Sequence, residues 1–176
     1  MAIGSYWADD YVQKKKSVQE AIASIRSGQR IFIGSYCGEP QCLVRGLAEA
    51  AQRFSNIEII RLMSHETTSL YLIANKTQDQ SLSIRSFYLG SADTGGLARN
   101  MRFYTPVNMS AIPQLFTSRR IPLDVALVQV SPPDDFGWMS LGVSVDVTLA
   151  AALCADRVIA QVNTKMPMVL GRSFIH

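Results

Sequence analysis

Three short segments of the sequence carry the residue types that could bind or activate a ligand. Residues 34–41 (GSYCGEPQ) join a predicted strand to a predicted helix. Residues 128–134 (VQVSPPD) run from an apolar strand into a Pro-Pro turn, and residues 136–144 (FGWMSLGVS) lead through a glycine-containing excursion to a further predicted helix. In parallel α/β sheets, ligands bind beside the loops that follow the carboxyl ends of the strands. The sequence therefore predicts a binding site built from these loops.

The segment 34–41 admits two interpretations. It leads into the N-terminus of a helix, where free N–H groups and the helix dipole favour an anion or a developing oxyanion. It has the same composition as an ordinary tight turn between a strand and a helix. The spacing of its residues favours neither interpretation over the other.

Two better-known catalytic motifs are excluded. Residues 90–97 (GSADTGGL) have the glycines of a phosphate loop, but Gly96 stands where the lysine is required and Leu97 where Ser or Thr is required. Residues 142–146 (GVSVD) lack the second glycine of a nucleophile elbow, and the only histidine that follows is His176. We therefore expect neither an NTPase of the P-loop type nor a serine hydrolase.

Alternating helices and strands are predicted to position these loops. Ser17 and Glu20 have the spacing of a capping box, and Gly28 is the expected stop of the helix that follows. Pro40 is predicted as the first residue of the second helix, since its missing N–H costs nothing there. The buried stripe of that helix is predicted as Leu43, Val44, Leu47, Ala51 and Phe54. Strands are predicted at 30–34, 57–63, 83–89, 105–109, 124–130 and 157–163, and further helices at 92–102, 111–118 and 143–155.

This alternation predicts an α/β fold of the doubly wound type. The strands at 124–130 and 157–163 are predicted to be buried, as expected where helices cover both faces of a mostly parallel sheet. No linker or repeat divides the chain, so residues 17–176 are predicted to form one domain after a lead-in at 1–16.

Composition excludes several classes of function. The net charge is only +3, and the single basic run, 14–16, lacks the aromatic residues of a nucleic-acid site, so no nucleic acid is expected. No signal peptide or membrane-spanning segment is evident. Cys37, Cys42 and Cys154 are odd in number and lack C-x-x-C spacing, which favours reduced thiols and a cytoplasmic location. The two histidines lie far apart in sequence, so no metal site is expected.

Several ordered blocks resemble the acetyl-CoA hydrolase/transferase family, which includes 4-hydroxybutyrate and butyrate:acetate CoA-transferases. They are residues 38–41 (GEPQ) with 43–44 (LV), 131–134 (SPPD), Gly137, 140–146 (SLGVSVD), Asn163 with 166–167 (MP), and 171–176 (GRSFIH). The resemblance covers residues 14–176, and the block from Ser131 to Asp146 is its most specific part.

The resemblance implies two similar α/β domains with the active site between them. In that family a glutamate attacks the acyl-CoA thioester and forms an acyl-glutamyl anhydride and then a glutamyl-CoA thioester. The resemblance places this glutamate in a second, C-terminal domain, so we expect an N-terminal fragment that is inactive alone and has no catalytic residue of its own. Glu39 is best explained as a partner of the helix N-terminus.

The resemblance also implies the ligands and partners. Coenzyme A is expected as a substrate, with no tightly bound cofactor, together with an acyl-CoA, a small carboxylic acid resembling acetate, the C-terminal domain of the same protein, and a homo-oligomeric assembly. The residues expected to contact the substrate or CoA are Gly34, Ser35, Gly38, Glu39, Pro40, Gln41, Ser64, Asn108, Ser110, Gln129, Ser131, Pro132, Gly142, Ser144, Asn163, Met166 and Pro167.

An alternative function stays open at this point. The chain could be a stand-alone α/β module that binds CoA or a carboxylate without turnover. Within the enzyme interpretation, transfer and hydrolysis are both open, because they differ in whether water reaches the enzyme-CoA thioester.

Overall fold

A parallel β-sheet lies at the centre of the structure, a computed structural model that describes residues 6–63, 82–88 and 102–176. Its strands are β1 (Arg30–Ile33), β2 (Ile57–Arg61), β3 (Leu82–Ser86), β4 (Arg102–Tyr104), β5 (Val125–Val130) and β7 (Arg157–Val162). A separate antiparallel pair consists of β6 (Met139–Ser140) and β8 (Phe174–Ile175). The α-helices are α1 (Trp7–Lys14), α2 (Val18–Ala23), α3 (Gln41–Glu49), α4 (Ile112–Thr117) and α5 (Thr148–Cys154), and the 3₁₀ helices are Tyr36–Gly38, Ala51–Arg53 and Met109–Ala111.

The strand order is β4-β3-β2-β1-β5-β7, and every neighbouring pair in this sheet is parallel. The chain starts at β1, builds outward to β4 on one side, and returns to add β5 and β7 on the other side. The direction of winding therefore reverses between β1 and β5. In open parallel sheets, such a reversal separates the loops after the two strands and leaves a crevice at their carboxyl ends.

Helices cover the sheet on both faces and create two cores. On one face α2 and α3 pack on aliphatic side chains such as Ile31, Ile59 and Leu127. On the other face α4 and α5 pack on the intervening residues, including Phe32, which meets Phe116 edge-to-face with 5.8 Å between ring centroids. The predicted doubly wound α/β fold is confirmed.

Several local predictions are confirmed at the level of hydrogen bonds or burial. The Ser17 N–H donates to Glu20 Oε2 at 2.8 Å, and the Glu20 N–H donates to Ser17 Oγ at 3.3 Å, which completes the capping box. The strand predicted at 124–130 is β5, and all of its side chains are buried. The stripe predicted on the second helix is buried throughout, although its last two members, Ala51 and Phe54, lie beyond α3.

Several predicted boundaries were wrong. Helix α2 ends at Ala23, and Gly28 lies further on, in a turn with φ +81°. Pro40 is the residue before α3 and not its first member. The helix predicted from residue 143 begins only at Thr148, after the N-cap Val147, where the Asp146 carboxylate accepts the Thr148 N–H at 2.9 Å.

Two strand predictions also needed correction. The strand predicted at 105–109 lies earlier, at Arg102–Tyr104, because Pro106 has no N–H with which to continue the ladder. The strand predicted as buried at 157–163 is an edge strand, β7, on which Val158 and Val162 are each 38% exposed. The helix predicted at 92–102 lies outside the described residues except for its last position, which opens β4.

The lead-in segment contains α1, for which the sequence analysis made no prediction. The Trp7 Nε1–H donates to the Asp135 carbonyl at 3.0 Å, so α1 is attached to the turn that follows β5. Within the three described ranges, no helix has both the length and the apolar character needed to cross a bilayer.

Gly46 provides a test of the packing between α2 and α3. Alanine in place of glycine inside a helix normally stabilises it by about 1 kcal/mol. Here a Cβ would press on Val18 Cγ1 and lie 3.4 Å from Ile22 Cγ1. We therefore expect Gly46→Ala to lower the free energy of unfolding by about 1–3 kcal/mol in urea denaturation. Adding Val18→Ala should restore part of the loss, and stabilisation by Gly46→Ala alone would contradict this packing.

Candidate functional site

The candidate site lies at the carboxyl ends of β1 and β5, where the winding of the sheet reverses. The loop after β1 comprises residues 34–40 and includes the 3₁₀ helix Tyr36–Gly38. The segment after β5 begins with Ser131 and returns through the β6 strand to the turn at 141–147. Both loops were singled out from the sequence, and the topology brings them to the crevice where open α/β proteins bind ligands.

Four backbone amides of the loop after β1 are already engaged. The N–H groups of Gly34, Tyr36, Gly38 and Glu39 donate to the carbonyls of Leu127, Met63, Ser35 and Tyr36 over 2.9–3.2 Å. In the first turn of α3, the Cys42 N–H donates to Gln161 Oε1 at 2.9 Å. The oxyanion interpretation of this loop needs free amides, so these bonds favour the tight-turn interpretation.

A network of side-chain amides ties this loop to the sheet. The Gln129 Nε2–H donates to the Cys37 carbonyl at 3.3 Å, and Gln129 Oε1 accepts from Gln161 Nε2 at 3.0 Å and from Asn163 Nδ2 at 3.4 Å. Gln161 in turn holds the start of α3 through Cys42. The predicted residues Gln129 and Asn163 are thus brought together, and Gln161 is a participant that the sequence analysis did not identify.

One face of the sheet becomes polar at its carboxyl edge. On the face covered by α2 and α3, four of the six strands carry a polar side chain two residues after their last aliphatic one. The replacements are Ile84 to Ser86 on β3, Ile59 to Arg61 on β2, Leu127 to Gln129 on β5 and Ile159 to Gln161 on β7. Alternate residues of a strand share a face, so these side chains form one polar layer above the core.

Arg61 is the charged member of this polar layer, and Glu39 is its counter-charge. Arg61 is 6% exposed and Glu39 is 3% exposed. Burial lowers the pKa of the Arg61 guanidinium, and the nearby Glu39 carboxylate opposes that shift. The Arg61 Nε–H also donates to Ser86 Oγ at 3.4 Å. The pair therefore links the end of β2 to the loop after β1.

Arg61 lies inside the strand predicted at 57–63, and no role is predicted for it from the sequence. The alternation of side chains along the strand could have identified Arg61 as a buried residue. Ile57, Ile59 and Arg61 lie on one face of β2, and that strand is buried on both faces. A buried arginine at such a position requires a partner. The partner, Glu39, was predicted as a site residue, but as a helix-terminus acid.

Two buried polar atoms have no hydrogen-bond partner among the residues that the structure describes. They are Ser35 Oγ and Arg61 Nη1. Ser35 is 2% exposed and directly precedes the 3₁₀ helix after β1. Unpaired buried groups are uncommon in native proteins, and each needs an explanation.

The turn at 141–147 packs directly on the loop after β1. A Cβ added to Gly38 would lie 2.7 Å from Ser144 Cβ, so these two predicted residues are in contact. The Ser144 hydroxyl donates to Asp146 Oδ2 at 2.5 Å. Gly142 has φ +60°, and a Cβ there would overlap Met166 and lie 3.0 Å from the Pro167 carbonyl. The structure thus brings together predicted residues of the loop after β1, the turn at 141–147 and the segment at 166–167.

The other predicted residues have different surroundings. Ser131 is buried, and its Oγ accepts the Ser140 N–H at 2.9 Å and donates to the Pro132 carbonyl at 3.0 Å, so it holds the β5–β6 connection. Asn108 and Ser110 are exposed and follow β4, the edge strand that three strands separate from β5. Ser64 lies outside the described residues. Ligand contacts at all of these positions stay predictions.

Metal chemistry has no support in the described part of the chain, where no three His, Cys, Asp or Glu side chains are grouped to hold an ion. The geometry offers instead side-chain amides, a hydroxyl and one guanidinium. These groups suit hydrogen bonding to a carboxylate or carbonyl oxygen.

Comparison with known proteins gives a consistent result. The family model described as acetyl-CoA hydrolase/transferase N-terminal domain matches residues 5–176. The 4-hydroxybutyrate coenzyme A transferase of Clostridium kluyveri is 32% identical over 170 residues, which are 97% of this chain and 39% of that protein. The succinyl-CoA:acetate/propanoyl-CoA:succinate CoA transferase of Fasciola hepatica is 34% identical over 157 residues, 89% of this chain and 32% of that protein.

Solved structures agree with the sequence comparison. RipA from Yersinia pestis superimposes with a TM-score of 0.82 at 28% identity, over 97% of this chain and 41% of that one. The 4-hydroxybutyrate CoA-transferase from Porphyromonas gingivalis superimposes with a TM-score of 0.76 at 29% identity, over 97% of this chain and 38% of that one. The chain therefore spans about two fifths of the length of these relatives.

The Arg61–Glu39 pair can be tested through stability. Arg61→Met should lower the free energy of unfolding by about 3–5 kcal/mol, because it removes the guanidinium that offsets the buried charge of Glu39. The double variant Arg61→Met/Glu39→Gln should lose less, since it removes both buried charges together. The exposed pair of Arg119 and Asp156, 3.0 Å apart, is the control, and its removal should cost about 0–1 kcal/mol. Additive losses from the two single variants in urea denaturation would contradict a coupled pair.

Proposed function

Because the chain belongs to the acetyl-CoA hydrolase/transferase family, we propose that it is the N-terminal half of an enzyme that moves CoA between an acyl-CoA thioester and a small carboxylic acid. The main support is that CoA-transferases of two organisms match nearly the whole chain while extending well beyond it. A second support is the site itself, whose uncharged amides and single guanidinium are suited to carboxylates.

The proposed reaction is covalent. A glutamate carboxylate attacks the thioester carbonyl and expels CoA thiolate, which leaves an acyl-glutamyl anhydride. The thiolate then attacks the glutamyl carbonyl and releases the donor acid, so that the enzyme carries a glutamyl-CoA thioester. The acceptor carboxylate repeats the two steps in reverse and leaves with CoA. Water in place of the acceptor gives hydrolysis and regenerates the glutamate.

We propose that the nucleophile lies in a C-terminal domain that packs against the crevice. The carboxylates that the structure describes near the site have other roles. The Glu39 carboxylate is buried beside the Arg61 guanidinium, which disfavours attack on a carbonyl. Asp146 accepts the Ser144 hydroxyl, the Thr148 N–H and the Thr148 hydroxyl, and these bonds commit it to the turn before α5.

The role left to this half is to form one wall of the acyl and acceptor pocket. Gln129 and Asn163 fix the loop after β1, and Gly38 and Ser144 seat that loop against the turn before α5. A wall held by this many contacts can keep the acid and the thioester in line for attack, which is a large part of the rate advantage of such enzymes. CoA enters and leaves as a substrate in this scheme.

Exchange of labelled acetate with acetyl-CoA tests the proposal. The 176-residue chain should show no exchange, whereas a protein extended by its downstream coding sequence should exchange label and form a CoA adduct on one glutamate, visible by mass spectrometry. Replacement of that glutamate by glutamine should abolish both signals.

Two outcomes would overturn this function. Robust exchange by the 176-residue chain would place the nucleophile within it. CoA binding by the chain without exchange in the extended protein would favour a binding module that performs no turnover.

A further inference from the structure

The two unpartnered atoms at the carboxyl edge occupy neighbouring positions. Arg61 lies opposite Ile33 in the parallel register of β1 and β2. The pairing continues beyond the strand ends, because the Tyr36 N–H donates to the Met63 carbonyl at 3.2 Å. Ser35 follows Ile33 by two residues and keeps an extended backbone (φ −92°, ψ 149°), which places its side chain on the same face as that of Arg61. Ser35 Oγ and Arg61 Nη1 therefore share one corner of the polar layer.

The Arg61 guanidinium is only partly used within the described structure. Its Nε–H has Ser86 Oγ as a partner, and the Glu39 carboxylate provides a counter-charge. Its Nη1 is buried and unpaired. A guanidinium presents five N–H donors in a planar fork and can hold two carboxylates at once. The buried, unused donor therefore points to a second anionic partner.

We infer that Arg61 Nη1 and Ser35 Oγ form the subsite that binds the carboxylate of the small acid in the proposed reaction. This inference rests on the proposed function, and it assigns the acid to two residues of this half. One carboxylate oxygen accepts from Arg61 Nη1, and the other accepts from the Ser35 hydroxyl. This arrangement gives both unpartnered atoms a hydrogen-bond partner, and the Glu39 carboxylate continues to offset the charge of Arg61.

The surroundings favour a small carboxylate over a phosphate. Both donors are buried, so the phosphates of a nucleotide cannot reach them without a large rearrangement. Four of the loop amides that could cradle a phosphate donate instead to the carbonyls of Leu127, Met63, Ser35 and Tyr36. Aliphatic side chains lie directly below, with Ile33 and Ile59 in the adjoining core. A short acid with an apolar tail matches such an environment.

The loop after β1 provides the way in. Its Tyr36 has φ +49°, a left-handed conformation that is strained for a tyrosine, and its side chain is partly exposed. Admission of an acetate-sized molecule requires the Tyr36–Gly38 turn to move aside against the contacts with Gln129 and Ser144 that hold it.

Acetate binding to the 176-residue chain tests the subsite without any turnover. Sodium acetate titrated at constant ionic strength should give saturable shifts of the Arg61 Nε–Hε and Ser35 amide signals in ¹⁵N NMR spectra. Arg61→Lys retains the charge but loses the planar fork, and it should weaken acetate binding by about tenfold or more. Ser35→Ala should weaken it by about two- to tenfold. Arg119→Lys, at an exposed ion pair, should leave the affinity unchanged.

Several results would overturn the inference. They are an absence of saturable acetate shifts, an unchanged affinity in Ser35→Ala, or equal binding of inorganic phosphate at the same signals. Ser35→Ala keeps the buried charges intact, so the test holds even if Arg61→Lys fails to fold.

The extended protein separates this inference from the proposed function. If it exchanges acetate while Ser35→Ala leaves the KM for acetate unchanged, the proposed subsite is wrong and the proposed transferase function is supported. If the chain binds acetate through Arg61 but the extended protein shows no exchange, the proposed subsite is supported and the proposed transferase function is wrong.

Discussion

A buried guanidinium at the end of a central strand constrains the whole carboxyl edge of this sheet. Arg61 lies on β2, between β1 and β3, where both neighbours are parallel and helices cover the faces. Water cannot solvate a charge in such a position, so the chain must supply its partners. Glu39 supplies the counter-charge from the loop after β1, and Ser86 supplies a hydroxyl from β3. One buried charge therefore interacts with residues of both β3 and the loop after β1.

That loop connects the rest of the site. Gly38 contacts Ser144 without space for a side chain, and the Cys37 carbonyl accepts from Gln129. Gln161 reaches across from the edge strand β7 to hold the first turn of α3. The backbone N–H groups of Gly34, Tyr36, Gly38, Glu39 and Cys42 are bonded within the protein and cannot bind an anion directly. The binding capacity of the edge therefore resides in side chains, and the topology places it where the winding of the sheet reverses.

Some of this arrangement could be predicted from local sequence. The capping box at Ser17 and the fully buried strand β5 follow from short-range patterns, and both are present in the structure. The rule that ligands bind at the carboxyl ends of parallel strands predicted that the loops after β1 and β5 lie at one edge of the sheet. The start of α5 could not be predicted, because the Asp146 cap competes with a run of helix-compatible residues that precedes it. The role of Arg61 was missed because it depends on which face of β2 the side chain occupies and on Glu39, which lies 22 positions away in sequence.

A crystal structure of the extended protein with CoA and acetate bound would test the central claim most directly. The account predicts an acetate oxygen about 3 Å from Arg61 Nη1 and the other within hydrogen-bond distance of Ser35 Oγ, with the CoA sulfur facing the crevice between β1 and β5. Acetate bound away from this corner, with Arg61 contacting only Glu39 and Ser86, would contradict it.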